Sequence, residues 1–418
     1  MVMVKHRLEL LIGSKGVFKV NITVVGLGYI GLPVGIKLAE SGFDVNGYEI
    51  DEKRLDDIKN KTFNSQENEL YTRYDEVKDK FFLTNELLES DIYIVTVQTP
   101  INKHQKAELT YVKKAFESLA KRIKKDDLII LESTVPPNSN KEFIEYLSKL
   151  SNLKEDEFDY AYCPETIQPG NVFKELESNS RVIGTTTEKA FNRAHQIYAS
   201  ITKGKITRTS FLIAEHVKIM QNAYRDYEIA FANALSIYCD EQSMNVFELI
   251  ELINDHPRAK VLSPGIGVGG HCLPIDPLFI LEQNEFEPIR LARKINDQKT
   301  NYALKKILDL GVKDVIIFGA TYKPNSDDIR HSPSITLAKD LKQCGVNVSF
   351  CEPNIKEDYI EGFANIRFQE AIVSKWLIVI AQKHNYFYDN KTRFESKNLL
   401  DFVGLLELCC KKSKQALR

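Results

Sequence analysis

Short apolar runs alternate with longer polar stretches through the first half of the chain. The segment "NITVVGLGYIGLPVGIKLAESGFDVNGYEID" predicts a strand, a glycine turn, a helix and a second strand. Similar apolar runs recur in "DIYIVTVQTP", "DLIILESTVPP", "DYAYCPE" and "SRVIGTT". Buried apolar strands that alternate with helices are typical of a parallel sheet covered by helices. The pattern therefore predicts an α/β fold for this half.

The pattern becomes purely helical in the middle of the chain. From about Phe211 to Asp240 it predicts one long helix, because this stretch contains no glycine or proline. More helix is predicted to about Pro257 and, after a glycine-rich loop, again to about Leu310. The sheet of the first half is therefore not expected to continue through this region.

Strands return near residue 312, where a faint internal repeat begins. The segment "KLAESGFDVNGYE" is echoed by "DLKQCGVNVSFCE", and "VIIFGATYKP" stands where "ITVVGLGYIG" stood. We therefore predict two nucleotide-binding α/β domains with parallel sheets, joined by a long central helix and a helical hinge. The predicted parts are an N-terminal extension (1–19), a first domain (20–210), a helical region (211–310) and a second domain (311–418).

Composition narrows the class of protein and of partner. The chain has 418 residues, 43% apolar and 27% charged, with a formal net charge of -2. These values predict a soluble protein of two or three domains and give no reason to expect nucleic acid or a membrane as partner. No apolar run reaches the roughly 18 residues of a membrane span. The seven cysteines form no C-x-x-C pair, so neither a metal site nor disulfides are predicted, and a reducing cytoplasm is expected.

The first glycine turn carries the features of a dinucleotide site. Gly26, Gly28 and Gly31 form G-x-G-x-x-G between a predicted strand and a predicted helix. Such glycines allow a tight turn, close approach of the pyrophosphate and close packing of helix on strand. Glu49 ends the second strand, where a carboxylate binds the ribose diol and repels a 2′-phosphate, so NAD is predicted. Arg54 just beyond it leaves NADP open.

Polar residues also follow other strands and line the long helix. Thr99 and Thr134 each come just past an apolar strand, at the sheet edge where ligands bind in open α/β folds. Lys218, Asn222 and Arg225 are spaced to share one face of the helix. Such a stripe is usually solvated, but an ammonium and an amide can together stabilise an oxyanion.

The loop "GIGVGGHCLPIDPLF" places one thiol and one carboxylate among glycines, prolines and apolar residues. A thiolate at Cys272 can capture an aldehyde, formed from a primary alcohol, as a thiohemiacetal. A second oxidation then gives a thioester, which water releases as a carboxylate. Asp276 is placed to help activate that water. The nearby "HPR" offers His256, and Arg258 as the better anion clamp.

Seven motifs occur in the order typical of the UDP-glucose/GDP-mannose dehydrogenase family. They are "GLGYIGLP", "ESTVPP", "YCPE", "KIMQNAYRD", "HPR", "GVGGHCLPIDP" and "YKPNSDDIRHSP". The chain resembles this family from about Val20 to Pro333 and more loosely beyond. The segments "NAYRD", "IAFAN" and "HPR" look most like the branch that oxidises UDP-N-acetyl-D-mannosamine to its uronate, for polysaccharide biosynthesis, with two NAD.

The resemblance implies an NAD-binding first domain, a UDP-sugar-binding second domain and a homodimer formed through the long helix. It implies that Cys272 is the nucleophile and Lys218 the catalytic lysine, supported by Asn222, Asp276, Glu165 and Thr134. The cofactor positions that it implies are Gly26, Gly28, Tyr29, Ile30, Gly31, Glu49, Arg54, Thr99, Thr134 and Arg330. The substrate positions are Thr166, Ile167, Lys218, Asn222, Arg225, His256, Arg258, Gly267, Tyr322 and Lys323.

Two departures from the family pattern leave the sugar open. The branch continues "CPE" with arginine and valine, where this chain has Thr166 and Ile167, and Val403 stands where a basic residue is usual. UDP-N-acetylglucosamine and UDP-glucose therefore remain alternative substrates. A non-catalytic nucleotide-sugar-binding protein is an alternative of another class. The β-hydroxyacid dehydrogenases share the glycine turn and a helix lysine, but "GGHC" argues against them because they need no cysteine.

Overall fold

The computed structural model of the protein describes residues 20–63, 65, 67–102, 104–167, 170–283, 285–395 and 397–406. The predicted N-terminal extension lies outside the described residues, as do Cys409 and Cys410. The chain divides into two compact units, with the boundary between Met220 and Gln221. This boundary falls within the long helix, and the domain boundaries derived from the sequence stay predictions.

The first unit contains an eight-stranded sheet. Its strands are β1 (Asn21–Val25), β2 (Asp44–Tyr48), β3 (Phe81–Thr84), β4 (Ile92–Val95), β5 (Leu128–Leu131), β6 (Asp159–Tyr162), β7 (Arg181–Gly184) and β8 (Ile206–Thr209). Their order is β3-β2-β1-β4-β5-β6-β7-β8. The first six follow the strand order of dinucleotide-binding domains. All neighbouring strands are parallel except β6 and β7, which pair antiparallel.

Helices cover both faces of this sheet. They are α1 (Gly31–Glu40), α2 (Glu52–Lys59), α3 (Leu70–Val77), α4 (Thr110–Leu119), α5 (Ser139–Ser151), α6 (Val172–Ser178) and α7 (Glu188–Ile201). Successive residues of a strand point to opposite faces. Val24 accordingly lies in one apolar cluster and Val25 in another. The unit therefore has two cores, one on each side of the sheet.

The long helix α8 (Phe211–Glu241) is confirmed almost to the residue, and three more helices follow it. These are α9 (Val246–Asn254), α10 (Asp276–Gln283) and α11 (Glu287–Leu308). The Asn245 side chain accepts hydrogen bonds from two backbone N–H groups in the first turn of α9, which fixes where that helix begins. Among the described residues, no helix is both long enough and apolar enough to cross a membrane.

The second unit ends in a four-stranded parallel sheet of order β10-β9-β13-β14. The elements are β9 (Asp314–Phe318), α12 (Pro333–Gln343), β10 (Asn347–Cys351), the short pair β11 (Tyr359–Ile360) and β12 (Phe363–Ala364), α13 (Phe368–Ala371), β13 (Leu377–Ile380), α14 (Asn385–Asp389) and β14 (Leu399–Asp401). Both predicted α/β domains are thus confirmed. The antiparallel β6–β7 pair is the departure from a fully parallel first sheet.

Candidate active site

The predicted glycine turn links β1 to α1 in a conformation that requires glycine at two positions. Gly26 has φ +94°, and its N–H donates to the Tyr48 carbonyl at 2.8 Å. A Cβ on Gly31 would lie 1.9 Å from the Gly26 carbonyl oxygen and 2.3 Å from Thr96 Oγ1. The first turn of α1 therefore packs directly against the strand end, which directs the positive end of the helix dipole toward the space above the turn.

Thr96 is a residue of this turn that the sequence did not reveal. It follows β4, and its hydroxyl donates to the Gly26 carbonyl at 2.7 Å. This hydrogen bond fixes the Gly26 carbonyl, against which Gly31 packs. Its position one residue past an apolar strand is the only sequence signal that could have indicated it.

The acidic residue at the end of β2 is built into the turn. Glu49 is buried, and its Oε2 accepts a hydrogen bond from Leu27 N at 2.9 Å, while Oε1 accepts from Asp51 N at 3.1 Å. A carboxylate has about four acceptor sites, so sites remain for hydroxyl donors. Arg54 Nη1 lies 3.6 Å from where a Cβ on Gly28 would stand. A carboxylate and a guanidinium thus both border the glycine turn.

Tyr29 and Ile30 lie within the turn itself. Ile30 packs against the apolar cluster, whereas Tyr29 is exposed. The Tyr29 ring centroid is 5.7 Å from that of Phe63, and the Arg54 guanidinium is 5.9 Å from the same Phe63 ring. These side chains form one wall beside the turn.

Thr99 and Thr134 are both half-buried, in the loops after β4 and β5. Ser133 Oγ donates to the Val97 carbonyl at 2.7 Å and ties these two loops together. Both predicted threonines therefore lie at the carboxyl edge of the sheet that carries the glycine turn.

Lys218 and Glu165 form a buried ion pair in the first unit. Lys218 Nζ lies 3.2 Å from Glu165 Oε2, and both residues are less than a tenth exposed. Glu165 Oε1 accepts a hydrogen bond from the N–H of Ile167. Thr166 is half-buried, and its carbonyl accepts from Asn179 Nδ2 at 3.5 Å. A proton can be exchanged between a carboxylate and an ammonium held this close in a dry environment.

A second buried polar group lies behind this pair and was missed from the sequence. Tyr198 OH donates to Glu132 Oε1 at 2.6 Å, and Arg181 Nη1 lies 3.7 Å from the same oxygen. Burial raises the pKa of Glu132, against the opposing effect of the Arg181 guanidinium. Burial likewise raises the pKa of the neighbouring Cys163 thiol to about 11, which makes this cysteine inert.

Glu215 joins α8 to the loop after β5. Its carboxylate accepts hydrogen bonds from Asn138 N at 2.7 Å, from Asn140 N at 2.9 Å and from Asn140 Nδ2 at 2.7 Å. Glu215 lies one helical turn before Lys218. The loop that follows Thr134 and the helix that carries Lys218 are therefore held in register.

In the second unit the cysteine loop ends at the start of α10. The Cys272 carbonyl accepts hydrogen bonds from Ile275 N at 3.0 Å and from Asp276 N at 2.8 Å. Asp276 is buried, and its Oδ2 accepts from Asn222 Nδ2 of α8 at 2.6 Å. The half-buried Cys272 therefore lies just before the first turn of α10.

The glycines of this loop let it pack against the segment that follows β9. Gly270 has φ +89°, and its N–H donates to the Arg330 carbonyl at 2.9 Å. A Cβ on Gly270 would lie 2.8 Å from the Tyr322 ring, and one on Gly267 would lie 2.7 Å from Thr300 Oγ1. The predicted residues Gly267, Tyr322 and Arg330 are therefore brought together with the cysteine loop.

Asp328 orients Arg330. Its carboxylate accepts bonds from Arg330 Nε at 2.9 Å and Nη2 at 2.6 Å. Although burial alone would raise the pKa of the Asp328 carboxyl, the Arg330 guanidinium holds it below the ordinary value. No motif or spacing in the sequence had singled out Asp328.

Other predicted residues stay at the surface. Arg225 is exposed and lies 3.3 Å from Glu228, and His256 and Arg258 are exposed after α9. Lys323 is half-buried. Val403 is buried in an apolar cluster, so it serves packing. No group of three His, Cys, Asp or Glu side chains within the described ranges is placed to bind a metal ion.

Family models match along most of the chain. The NAD binding domain of the UDP-glucose/GDP-mannose dehydrogenase family matches residues 20–202, its central domain residues 213–298 and its UDP binding domain residues 316–407. The chain belongs to this family. The membership confirms the resemblance inferred from the motifs, the prediction of an NAD-dependent dehydrogenase, and NAD as its cofactor.

Individual relatives span nearly the whole chain. It is 40% identical to UDP-N-acetyl-D-mannosamine dehydrogenase from Methanocaldococcus jannaschii, over 92% of this chain and 90% of the relative. It is 34% identical to NDP-N-acetyl-D-galactosaminuronic acid dehydrogenase from Ralstonia solanacearum, over 92% and 96%. The solved UDP-D-ManNAc dehydrogenase from Pyrococcus horikoshii superposes with a TM-score of 0.85 at 35% identity, covering 92% of this chain and 96% of that one.

Proposed function

We propose that this protein oxidises the 6-hydroxymethyl group of UDP-N-acetyl-D-mannosamine to the carboxylate, using two NAD per sugar. The observation that carries the proposal is the position of Cys272, whose carbonyl accepts a hydrogen bond from Asp276 N while the Asp276 carboxylate accepts one from Asn222 Nδ2. A thiol in this position permits both oxidations without release of the aldehyde. The relatives that are named for UDP-N-acetyl-D-mannosamine support the choice of sugar.

The residues of the first unit fit NAD. Gly28 leaves open space, since the nearest side-chain atom to a Cβ there is 3.6 Å away, and Glu49 faces the same turn. The glycine turn would bind the pyrophosphate and Glu49 the ribose diol. When bound there, NAD would supply the hydride acceptor for each of the two oxidations.

The chain's own groups supply the covalent and proton-transfer steps. The buried Lys218–Glu165 pair takes up the proton of the 6-hydroxyl as the alcohol becomes an aldehyde. The Cys272 thiolate adds to the aldehyde carbon and forms a C–S bond. The resulting thiohemiacetal loses its second hydrogen as hydride and becomes a thioester.

Hydrolysis completes the reaction. Asp276, held by Asn222, assists the attack of water on the thioester carbon, and the C–S bond breaks to release the carboxylate and the thiolate. The balance is one primary alcohol, two NAD⁺ and one water in, and one carboxylate, two NADH and three protons out. The amide of Asn222 supplies a donor for the tetrahedral oxyanion.

The stoichiometry tests this proposal. Purified protein with limiting UDP-N-acetyl-D-mannosamine and excess NAD should form two NADH and one uronate per sugar consumed, because both oxidations occur at one thiol. Absorbance at 340 nm and mass spectrometry of the nucleotide sugar measure the two products. One NADH together with a free aldehyde as the final product would exclude the two-step reaction.

A panel of sugars tests the substrate. UDP-N-acetylglucosamine and UDP-glucose are the alternatives, and the Ralstonia solanacearum relative adds the N-acetylgalactosamine series. The highest kcat/KM should belong to UDP-N-acetyl-D-mannosamine. Binding of UDP-sugar without any NADH would instead favour a non-catalytic nucleotide-sugar-binding protein. We also propose a cytoplasmic location, where a catalytic thiol stays reduced, and a product used in polysaccharide biosynthesis.

We propose that the protein is a homodimer formed through α8. A row of exposed aromatic side chains supports this, at helical spacing along its second half: Tyr224, Tyr227, Phe231 and Tyr238, each about half exposed or more. An apolar stripe at this spacing is typical of a helix that packs against another helix.

Charge placed on this stripe should separate the subunits. Tyr227→Glu combined with Phe231→Glu should convert a species of twice the chain mass into one of the single chain mass, measured by light scattering after size exclusion. Tyr359→Glu, also at an exposed aromatic residue, is the control and should stay dimeric. A wild-type monomer at micromolar concentration would contradict the proposal.

A further inference from the structure

The second α/β domain repeats the glycine turn of the first. Gly319 has φ +100°, and its N–H donates to the carbonyl of Cys351, the last residue of β10, at 3.1 Å. The next N–H, from Ala320, donates to Glu352 Oε2 at 2.9 Å. In the first domain, the turn makes the same pair of contacts, with Glu49 as the acid. Glu352 is therefore the structural counterpart of the residue that faces the ribose.

Glu352 differs from Glu49 in its surroundings. The Glu352 side chain is completely buried, and His384 Nε2 lies 3.0 Å from its Oε2. Its Oε1 accepts hydrogen bonds from Asn354 N and Asn354 Nδ2, both at 2.9 Å. Protein donors therefore occupy both oxygens, and the acid is closed to a sugar hydroxyl.

The hydrogen bonds of His384 define its tautomer. Asn325 N donates to His384 Nδ1 at 2.9 Å, and Asn354 Nδ2 lies 3.0 Å from the same atom. Since both partners are donors, Nδ1 is the acceptor, and Nε2 carries the hydrogen that is donated to Glu352. The imidazole therefore bridges the buried acid and a backbone N–H group.

The bridged N–H belongs to a strained position. Asn325 has φ +56°, in the left-handed region, two residues after Lys323. Its Oδ1 also accepts a hydrogen bond from Asn385 N at 2.8 Å. Residues 384 and 385 thus hold Asn325 from two sides, and with it the segment that carries Tyr322 and Lys323.

We propose that Glu352 and His384 are positioning residues for the UDP-binding segment 321–331. Glu49, the counterpart in the first domain, is proposed to bind the ribose directly. Glu352 instead orients the His384 imidazole, which in turn fixes segment 321–331. This inference rests on the proposed function, a UDP-sugar dehydrogenase, for which the family resemblance implies that Tyr322 and Lys323 are substrate positions. The proposal predicts that the protein binds UDP less tightly when residue 384 cannot accept the hydrogen bond from Asn325 N.

Two substitutions at His384 separate its two hydrogen bonds. In His384→Asn, the amide oxygen can replace Nδ1 as the acceptor for Asn325 N, and the donor to Glu352 is lost. In His384→Gln, the amide nitrogen can replace Nε2 as the donor to Glu352, and the acceptor is lost. Val379→Ala removes buried volume from β13 and leaves the hydrogen bonds of His384 in place, so it controls for loss of stability.

The measurements are the Kd for UDP by calorimetry and the steady-state constants with UDP-N-acetyl-D-mannosamine. His384→Gln should raise the Kd for UDP and the KM for the sugar at least tenfold, about 1.4 kcal/mol, with kcat and the KM for NAD within threefold of wild type. His384→Asn should stay within threefold of wild type in all four constants. Equal losses in both variants, or none in His384→Gln, would overturn the proposal.

Glu352→Gln gives a second test if His384→Gln does not fold. Glutamine has one side-chain oxygen where Glu352 has two. Its NH₂ group would therefore face N–H donors that hydrogen-bond to the carboxylate in wild type. The imidazole then loses the partner that sets its tautomer, and the Kd for UDP should rise at least tenfold. An unchanged Kd in a folded Glu352→Gln protein would overturn the proposal. Failure of the proposed function differs from both results, because wild type itself would then not reduce NAD with the sugar.

Discussion

Replacing Cys272 with alanine should lower the formation of UDP-uronate by several orders of magnitude. Alanine cannot form the thiohemiacetal, so at most a slow, reversible oxidation to the aldehyde remains. The variant should fold normally, because Cys272 is only half-buried and its backbone carbonyl keeps its hydrogen bonds to Ile275 N and Asp276 N. Circular dichroism checks the fold, and mass spectrometry of the nucleotide sugar measures the uronate.

Cys272→Ser is the matched variant. A serine hydroxyl is a much poorer nucleophile at neutral pH, and an ester is hydrolysed more slowly than a thioester. The turnover of Cys272→Ser should fall as far as that of Cys272→Ala, while mass spectrometry of the intact protein should detect sugar that remains attached to it. If the alanine variant keeps more than about a tenth of the wild-type rate, a loss under about 1.4 kcal/mol, the covalent mechanism is wrong.

Local sequence patterns were sufficient for many elements of the fold, although β3 and β8 were not predicted. The apolar runs predicted β1, β4 and β5, because a strand buried on both faces needs apolar residues at every position. The absence of glycine and proline predicted α8. Strand direction carries no such signal, and the antiparallel pairing of β6 with β7 therefore came from the structure alone.

The residues of the candidate site likewise fall into two groups, those that a local motif predicts and those that only the structure reveals. The glycine turn and Glu49 could be predicted because the motif is local and its geometry requires those residues. Thr96 could not, since its bond to Gly26 joins residues 70 positions apart. His384 is comparable: the repeat revealed the glutamate at the end of β10, but not the histidine 32 residues later that closes it off.

Val403 shows the limit of comparison by motif. The sequence aligned it with a basic position of the family, yet the structure buries it in an apolar cluster. The Lys383 ammonium donates to the carbonyl of Gly404 at 3.1 Å and brings a positive charge to the same turn. A missing charge in a motif therefore does not establish a missing charge in the fold.

Substituting the glycines of the first turn should separate cofactor binding from folding. A methyl group on Gly28 has open protein space, with Arg54 Nη1 as nearest neighbour at 3.6 Å. Gly28→Ala should therefore melt within about 2 °C of wild type. The methyl group nevertheless occupies the path by which the pyrophosphate approaches the backbone. The Kd for NAD, measured by calorimetry, should rise at least thirtyfold, about 2 kcal/mol, with the Kd for UDP unchanged.

Gly31→Ala should lose both stability and cofactor. Its Cβ would meet the Gly26 carbonyl at 1.9 Å, and a backbone atom cannot move aside without opening the turn. Overpacking of this kind costs about 1–3 kcal/mol, which lowers the Tm of a unit this size by about 2–12 °C. Gly35→Ala is the control, since its Cβ would meet only the Phe81 ring, at 2.6 Å. It should lower the Tm but leave the Kd for NAD within threefold. If Gly28→Ala also binds NAD within threefold of wild type, the pyrophosphate does not lie on this turn, because in that variant nothing but the ligand's path has changed.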